Sequence, residues 1–347
     1  MGGIKTLLAK QALVRYIREG NLKAGTQLPS QEELRQRFGF GTATIAAALH
    51  ELHNDKVIEV RDKIGAFVLN PATDGHAGRI IGLASNALAV SVFRSCLSNL
   101  LQIRLADRGW QMLSFFCMEP VLNGQLEHSA FAGLHRTVEQ KGIEALITLG
   151  DLSPESLNYF AAKKLPVVFV GSLETNTARV IIDMTAFLNA GLNKLADAGI
   201  RRPAILISEA LREQLTPHFK NALRRFPGAG EAEKLIFSGN FVPEGAEVAR
   251  RLIALPEAQR PDGVVAFDDT LASSFTAELF RARHSRYHPR MAILRNLQNP
   301  MDFATDDPFC FAVDLNELAG LTVELLGDLF NGSEVQAKYL VPQYIQP

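Results

Sequence analysis

The residues best equipped to do chemistry fall into two groups. In the first, Asp268 and Asp269 follow the apolar run 263–267, and neighbouring carboxylates suggest acid–base work or a metal. Successive side chains at a strand end point apart, so this pair divides into one residue facing a ligand space and one buried. Asn86, Asp183 and Asp268 each end an apolar run, where the carboxyl ends of parallel strands leave room for a ligand, and Phe93 can stack on a ring face. Carboxylate, amide and aromatic groups together suit a sugar or related polyol. Asp183 also stands where it can cap a helix starting near Thr185, and Asp269 where it can hold a turn.

Other chemistry finds little support. No stretch matches the dinucleotide pattern GxGxxG, the phosphate loop GxxxxGK[ST] or the nucleophile elbow GxSxG. Cys96, Cys117 and Cys310 are far apart and odd in number, unlike a disulfide framework or a metal site, and they fit a reducing cytoplasm. His50 and His53 read as solvated helix residues, since no cysteine or carboxylate joins them at a ligand spacing. The expectation is a protein with no catalytic residue, no metal and no cofactor.

The second group lies in the first 70 residues. Thr42, Ala43, Thr44, Ala46, Ala47 and His50 recur along one helical stretch, and Arg35, Arg37, Arg61 and Lys63 flank it as partners for phosphates. Methyl groups of Thr and Ala suit thymine, but they offer few hydrogen bonds to base edges.

These residues need elements to hold them. Ile4, Leu7, Leu8, Ala12, Leu13, Tyr16 and Ile17 recur at helical spacing, with Gly20 as a stop. Ser30 and Glu33 form a capping box for a second helix ending near Phe38. Gly39-Phe40-Gly41 makes a tight turn, and a third helix from Thr42 buries Ile45, Leu49 and Leu52. Two short strands, 57–60 and 66–69, flank a tip at 61–65, so a wing follows the helix-turn-helix. Such a unit presents the start of its third helix to the major groove while the wing touches phosphates.

Residues 70–79 lack apolar periodicity and carry one Pro and two Gly, as a linker does. Beyond them, apolar strand candidates at 80–84, 110–116, 145–149, 167–170, 204–207, 263–267 and 291–294 alternate with helical patterns at 93–107, 130–141, 185–198, 217–226, 245–255 and 272–282. Alternation of this kind predicts parallel sheets wrapped by helices. The whole is expected to be α/β: residues 1–70 a winged helix-turn-helix, 71–79 a linker, 80–347 a sensor.

Composition agrees. Of 347 residues, 47% are hydrophobic and 21% charged, an ordinary globular balance. The start lacks a signal-peptide pattern, and no apolar run approaches the roughly 20 residues of a membrane span, so no membrane association and a cytoplasmic location are expected. Net charge is −1, but residues 1–75 carry +2 and the remainder −3, a small bias toward nucleic acid at the head.

The head resembles the GntR family in Ile17-Arg18-Glu19-Gly20, Gly25, Leu28-Pro29-Ser30, Leu34, Arg37-Phe38-Gly39, Thr44-Ile45, Ala48-Leu49, Glu51-Leu52 and Gly65-Ala66-Phe67-Val68. Where that family usually carries three arginines, this chain has Glu32, Thr42 and Ala46. The remainder resembles the sensor of LacI/GalR regulators, which shares the two-lobed fold of periplasmic sugar-binding proteins. The stretches carrying it are Gly142-Ile143-Glu144-Ala145-Leu146-Ile147, Leu165-Pro166-Val167-Val168-Phe169-Val170, Val180-Ile181-Ile182-Asp183 and Arg260-Pro261-Asp262-Gly263-Val264-Val265-Ala266-Phe267-Asp268-Asp269. A GntR-type head on such a sensor is the arrangement of arabinose-repressor-like proteins.

The resemblance implies a repressor that binds double-stranded operator DNA as a homodimer through 93–107 and 110–116, under control of a sugar-like effector. Within the cleft, Leu215 falls near a position where the family has an arginine, Gly171 or Ser172 replaces another, and Arg295-Asn296-Leu297 stands for Gly-Phe-Asp. The expected DNA-binding set is Ser30, Arg35, Arg37, Thr42, Ala43, Thr44, Ala46, His50, Arg61 and Lys63; the effector set is Asn86, Phe93, Gly171, Asp183, Asp268 and Asn296. The alternatives are a ligand-binding or scaffold protein whose head has lost operator recognition, and an α/β enzyme.

Overall fold

The computed structural model describes residues 4–20, 22–61, 64–69, 79–86, 92–117, 125–172, 177–228, 232–239, 242–298, 301–334 and 337–345. The expected linker, apart from Arg79, and Lys63 lie outside them.

The head consists of α1 (Ile4–Glu19), α2 (Gln31–Phe38), α3 (Thr42–Asn54), β1 (Ile58–Arg61) and β2 (Gly65–Val68). The capping box forms: the Glu33 N–H donates to Ser30 Oγ, and the Ser30 N–H donates to the Glu33 carboxylate. Gly39, left-handed at φ 71, ends α2, and Gly41 opens α3. Leu13, Ile17, Leu34, Ile45, Leu49, Leu52, Ile58 and Val68 close one core beneath the antiparallel wing. Gln27 braces the wing by donating to the Ile64 carbonyl at 2.9 Å. A Cβ on Gly65, at φ 136, would meet Gln27 Nε2 at 2.8 Å, so only glycine fits there.

The sensor begins in its first lobe with β3 (Ile80–Asn86), α4 (Val92–Asp107), β4 (Gln111–Cys117), β5 (Gln125–Leu126), α5 (Leu134–Glu139), β6 (Ala145–Thr148), β7 (Asp151–Leu152), α6 (Pro154–Ala162), β8 (Val167–Gly171) and β9 (Ala178–Ile182). It continues in the second lobe with α7 (Met184–Asp197), β10 (Pro203–Ser208), α8 (Glu209–Leu223), β11 (Ile236–Gly239), α9 (Val242–Ala254), β12 (Gly263–Ala266), α10 (Asp269–Arg281), β13 (Arg290–Asn296) and β14 (Phe309–Val313). Helix α11 (Leu315–Phe330) and β15 (Ala337–Leu340) return to lobe one, and β16 (Gln343–Ile345) completes lobe two.

Each lobe is a six-stranded sheet, in the order β15-β9-β8-β6-β3-β4 for lobe one and β11-β10-β12-β13-β14-β16 for lobe two. Lobe one pairs in parallel throughout, and only β16 runs antiparallel in lobe two. The near-continuous apolar strands follow from burial on both faces. The chain crosses between lobes at Asp183, at Asp314 and at 341–342, always after a strand's carboxyl end. Both sheets therefore turn their carboxyl ends toward the space between the lobes.

Two expected helices are corrected. The pattern at 217–226 is the second half of α8, which starts at Glu209; Leu215, Phe219 and Leu223 form one buried stripe that holds both halves despite the internal Pro217. The pattern at 130–141 yields only the short α5, preceded by a 3-10 turn at His128–Ala130 and ended at Gln140.

Candidate functional site

In the head, Thr42, Ala43 and His50 are exposed on α3, while Thr44 and Ala46 are half-buried. Helix α3 begins at Gly41 with no side-chain cap, leaving its first N–H groups open. The arginines are not free. Glu32 takes Arg35 in a two-pronged pair, Nη2 to Oε1 at 2.6 Å and Nε to Oε2 at 2.8 Å. That pair, with a bond from Gln36, pulls the Glu32 carboxyl down to about 2. Arg61 likewise donates twice to Glu59 Oε2, at 2.8 and 2.9 Å, and covers the Phe67 ring. Arg37 is exposed and lies 4.7 Å over Tyr16. The Ser30 hydroxyl is engaged in its cap.

In the sensor, Asp183 and Asp268 both act as helix caps. Asp183 accepts from the Ala186 N–H at 2.8 Å at the start of α7, and Asp268 from the Leu271 N–H at 2.9 Å at the start of α10. Asp269 is buried and bridges two strand ends, accepting from the Asn296 N–H at 3.1 Å and from Asn296 Nδ2 at 2.8 Å. The pair thus divides, one half-buried at the strand end and one buried. Asn86 is buried at the end of β3, Gly171 ends β8, and Phe93 packs against the main core at the start of α4. All six effector residues stand at strand ends or first helical turns on the side where the lobes meet.

Two residues at the crossings escaped sequence reasoning. Gln298 Nε2 donates to Asp314 Oδ1 at 2.6 Å and its Oε1 accepts from the Leu315 N–H at 2.8 Å, while Asp314 caps α11. The Asp183 N–H donates to the Leu340 carbonyl at 2.8 Å, tying the first crossing to the third. The Asp314-Leu315 cap pattern carried the only sequence signal.

Burial raises both Asp268 and Asp269, and Asp268 adds its like charge to Asp269. A raised folded pKa means the folded chain holds the proton more tightly, so ionisation costs stability at neutral pH. That cost falls away as pH drops through the raised pKa toward the ordinary value of 3.8. Asp269→Asn keeps an acceptor for Asn296 and removes the charge. Its urea midpoint should exceed the wild type's at pH 7 and converge with it near pH 4; a gap independent of pH would assign the change to packing.

Comparison with known proteins then bears on both halves. Residues 6–68 match the model of bacterial regulatory proteins of the gntR family. The chain is a transcriptional regulator with a DNA-binding head. Solved structures similar to it include the Escherichia coli transcriptional repressor ascG, at 17% identity and TM-score 0.57, covering 77% of this chain and 97% of that one. A regulatory protein of the LacI family from Chloroflexus aggregans gives 19% identity and TM-score 0.59, covering 77% and 96%. The transcription regulator CcpA of Lactococcus lactis gives 16% and 0.59, covering 77% and 97%. At these identities the likeness establishes the fold alone, the two-lobed fold of LacI-family regulators. No curated protein matches the chain in sequence. Among the described residues, no helix is long and apolar enough to cross a membrane, and no His, Cys, Asp and Glu cluster could hold a metal ion.

Proposed function

We propose that the chain is a repressor that binds operator DNA as a homodimer and is controlled by a sugar-like effector held between the lobes. The observation that supports this reading is that Asn86, Asp183, Asp268 and Asn296 each stand at or just after the carboxyl end of a strand in two largely parallel sheets joined by three crossings. A ligand touching both sheets would favour one lobe angle over others, and a population shift of that angle would move the heads. For the dimer, β4 is a sheet edge, and Ile103 on α4 and Phe116 on β4 are exposed apolar side chains on consecutive elements. The build is that of arabinose-repressor-like proteins.

Melting of the full chain with monosaccharides and polyols, alongside binding to fragments selected from the source genome, tests the reading. A true effector at about 100 times its Kd should stabilise the protein by about 2.7 kcal/mol and alter DNA affinity. Asp268→Ala is a poor probe, because losing a cap costs about 1 kcal/mol by itself. Asp268→Asn keeps the cap and should weaken effector binding at least tenfold; unchanged affinity would remove Asp268 from the site. Only monomer in sedimentation, with DNA present, would overturn the dimer. One observation favours a second reading: Arg35 and Arg61 are held by carboxylates, so a head that binds all DNA equally weakly would indicate a ligand-binding protein that has lost operator recognition.

A further inference from the structure

Helix α1 belongs to two cores at once. Ala9, Leu13 and Ile17 fill the head core, while Leu7 packs against the lobe-one cluster that contains Ile80, Leu134, Val138 and Ile143. This contact is at the lower edge of lobe one, where β3 begins, opposite the strand carboxyl ends. The turn Lys141-Gly142 comes so close that a Cβ on Gly142 would lie 2.8 Å from Leu8 Cδ2. Arg15 Nη2 donates to the Lys141 carbonyl at 2.6 Å.

Gln11 sits at the centre of the contact, 5% exposed. With its amide oriented by its surroundings, it donates to the Gly142 carbonyl at 3.1 Å and accepts from the Ile80 N–H at 2.9 Å. Both partners belong to lobe one, and Ile80 is the first residue of its first strand. Arg79, just before it, pairs with Glu144 and covers the Phe330 ring at 4.0 Å. The covalent entry into lobe one and the noncovalent contact thus meet within two residues. On the head side, Lys10 reaches Asp55 at 2.6 Å and Glu51 at 3.5 Å, fastening α1 to the far end of α3.

We propose that the head is seated on lobe one as a rigid extension, with Gln11 as the polar lock and α1 as the shaft that carries lobe-one movement to α3. A buried amide whose two partners lie in another domain fixes one docking geometry, because other seats leave its partners unsatisfied. The seat itself is independent of any ligand; only the transmission of an effector signal rests on the function proposed above.

Hydrogen exchange followed by mass spectrometry on the full chain, without DNA or effector, separates the two. In the wild type, peptides spanning Ile80 and residues 139–144 should be protected. Gln11→Ala should speed their exchange about tenfold, with peptides of the head core around Ile45 to Leu52 unchanged, which shows that the head remains folded. Arg15→Ala, at the rim, should speed the 139–144 peptide about threefold and serves if the first variant does not fold. Wild-type exchange rates in both variants, or unprotected Ile80 in the wild type, would overturn the seat. Given a confirmed seat, an effector that still shifts DNA affinity fully in Gln11→Ala would overturn the shaft.

Discussion

Replacing Glu32 by arginine is expected to raise affinity for DNA by one to two orders of magnitude at low salt, about 1.4 to 2.7 kcal/mol. Glu32 lies in the first turn of α2 and holds the Arg35 guanidinium through two bonds. As an exposed pair it contributes little to stability, so releasing it costs little. Its effect on a polyanion is larger, because it places a negative charge beside the helix that must approach phosphates. Glu32→Arg removes that charge, adds a positive one and frees Arg35. The gain of two phosphate contacts should steepen the dependence of log affinity on log salt by about 1.8. The capping box survives, since it uses Ser30 and Glu33. Affinity should rise alike for all fragments, because phosphate contacts carry no sequence information. Fluorescence anisotropy across a salt series reads both quantities; unchanged affinity and slope would mean that α2 does not face DNA.

The head was legible in the sequence because its signals are local. Ser30 and Glu33 are three residues apart, Gly39 and Gly41 punctuate a turn, and the wing strands lie within one residue of their expected places. The arginine pairs were equally local, Glu32 to Arg35 and Glu59 to Arg61, yet a phosphate reading of the arginines passed over them. Seven strands of the two six-stranded sheets showed as apolar runs; β9 entered only through the family resemblance, the apolar β14 was passed over, and β11, β15 and β16 are short and carry partly exposed residues.

What the sequence concealed is long-range. Leu7 and Leu8 fit the apolar stripe of α1 whether they face the head or another domain, and nothing near Gln11 indicates that Ile80 and Gly142 will bury it. Asp269 and Asn296 are 27 residues apart and meet only because β12 and β13 are neighbours. At the candidate cleft, sequence named strand ends correctly because a parallel sheet fixes where they open. It offered a helix cap for Asp183 but not for Asp268, where the carboxylate likewise accepts from the first turn of the following helix.

Phe187→Ala is expected to cost the sensor about 3–5 kcal/mol, a fall in melting temperature of roughly 10 °C. The ring is fully buried on α7 and meets Phe267 edge to face at 4.8 Å and Phe311 at 5.3 Å. Phe267 continues to Phe219 at 5.1 Å, and Phe311 to Tyr344 at 5.4 Å, so one ring joins two branches of an aromatic core. Its removal opens a cavity that neighbours anchored on separate strands cannot close together. Position makes the loss functional as well. Phe187 lies one helical turn beyond the Asp183 cap at the first crossing, Phe267 immediately precedes Asp268, and Phe311 lies on the strand that leads to the second crossing at Asp314. Relaxation around the cavity therefore displaces two candidate effector residues and loosens two of the three connections between lobes. Phe187→Leu, which keeps most of the volume, should lose less than half as much stability and retain the effector-induced rise in melting temperature. Scanning calorimetry of both variants, with and without effector, separates packing from site geometry: a Phe187→Ala protein within about 1 kcal/mol of the wild type would show that the core closes without the ring.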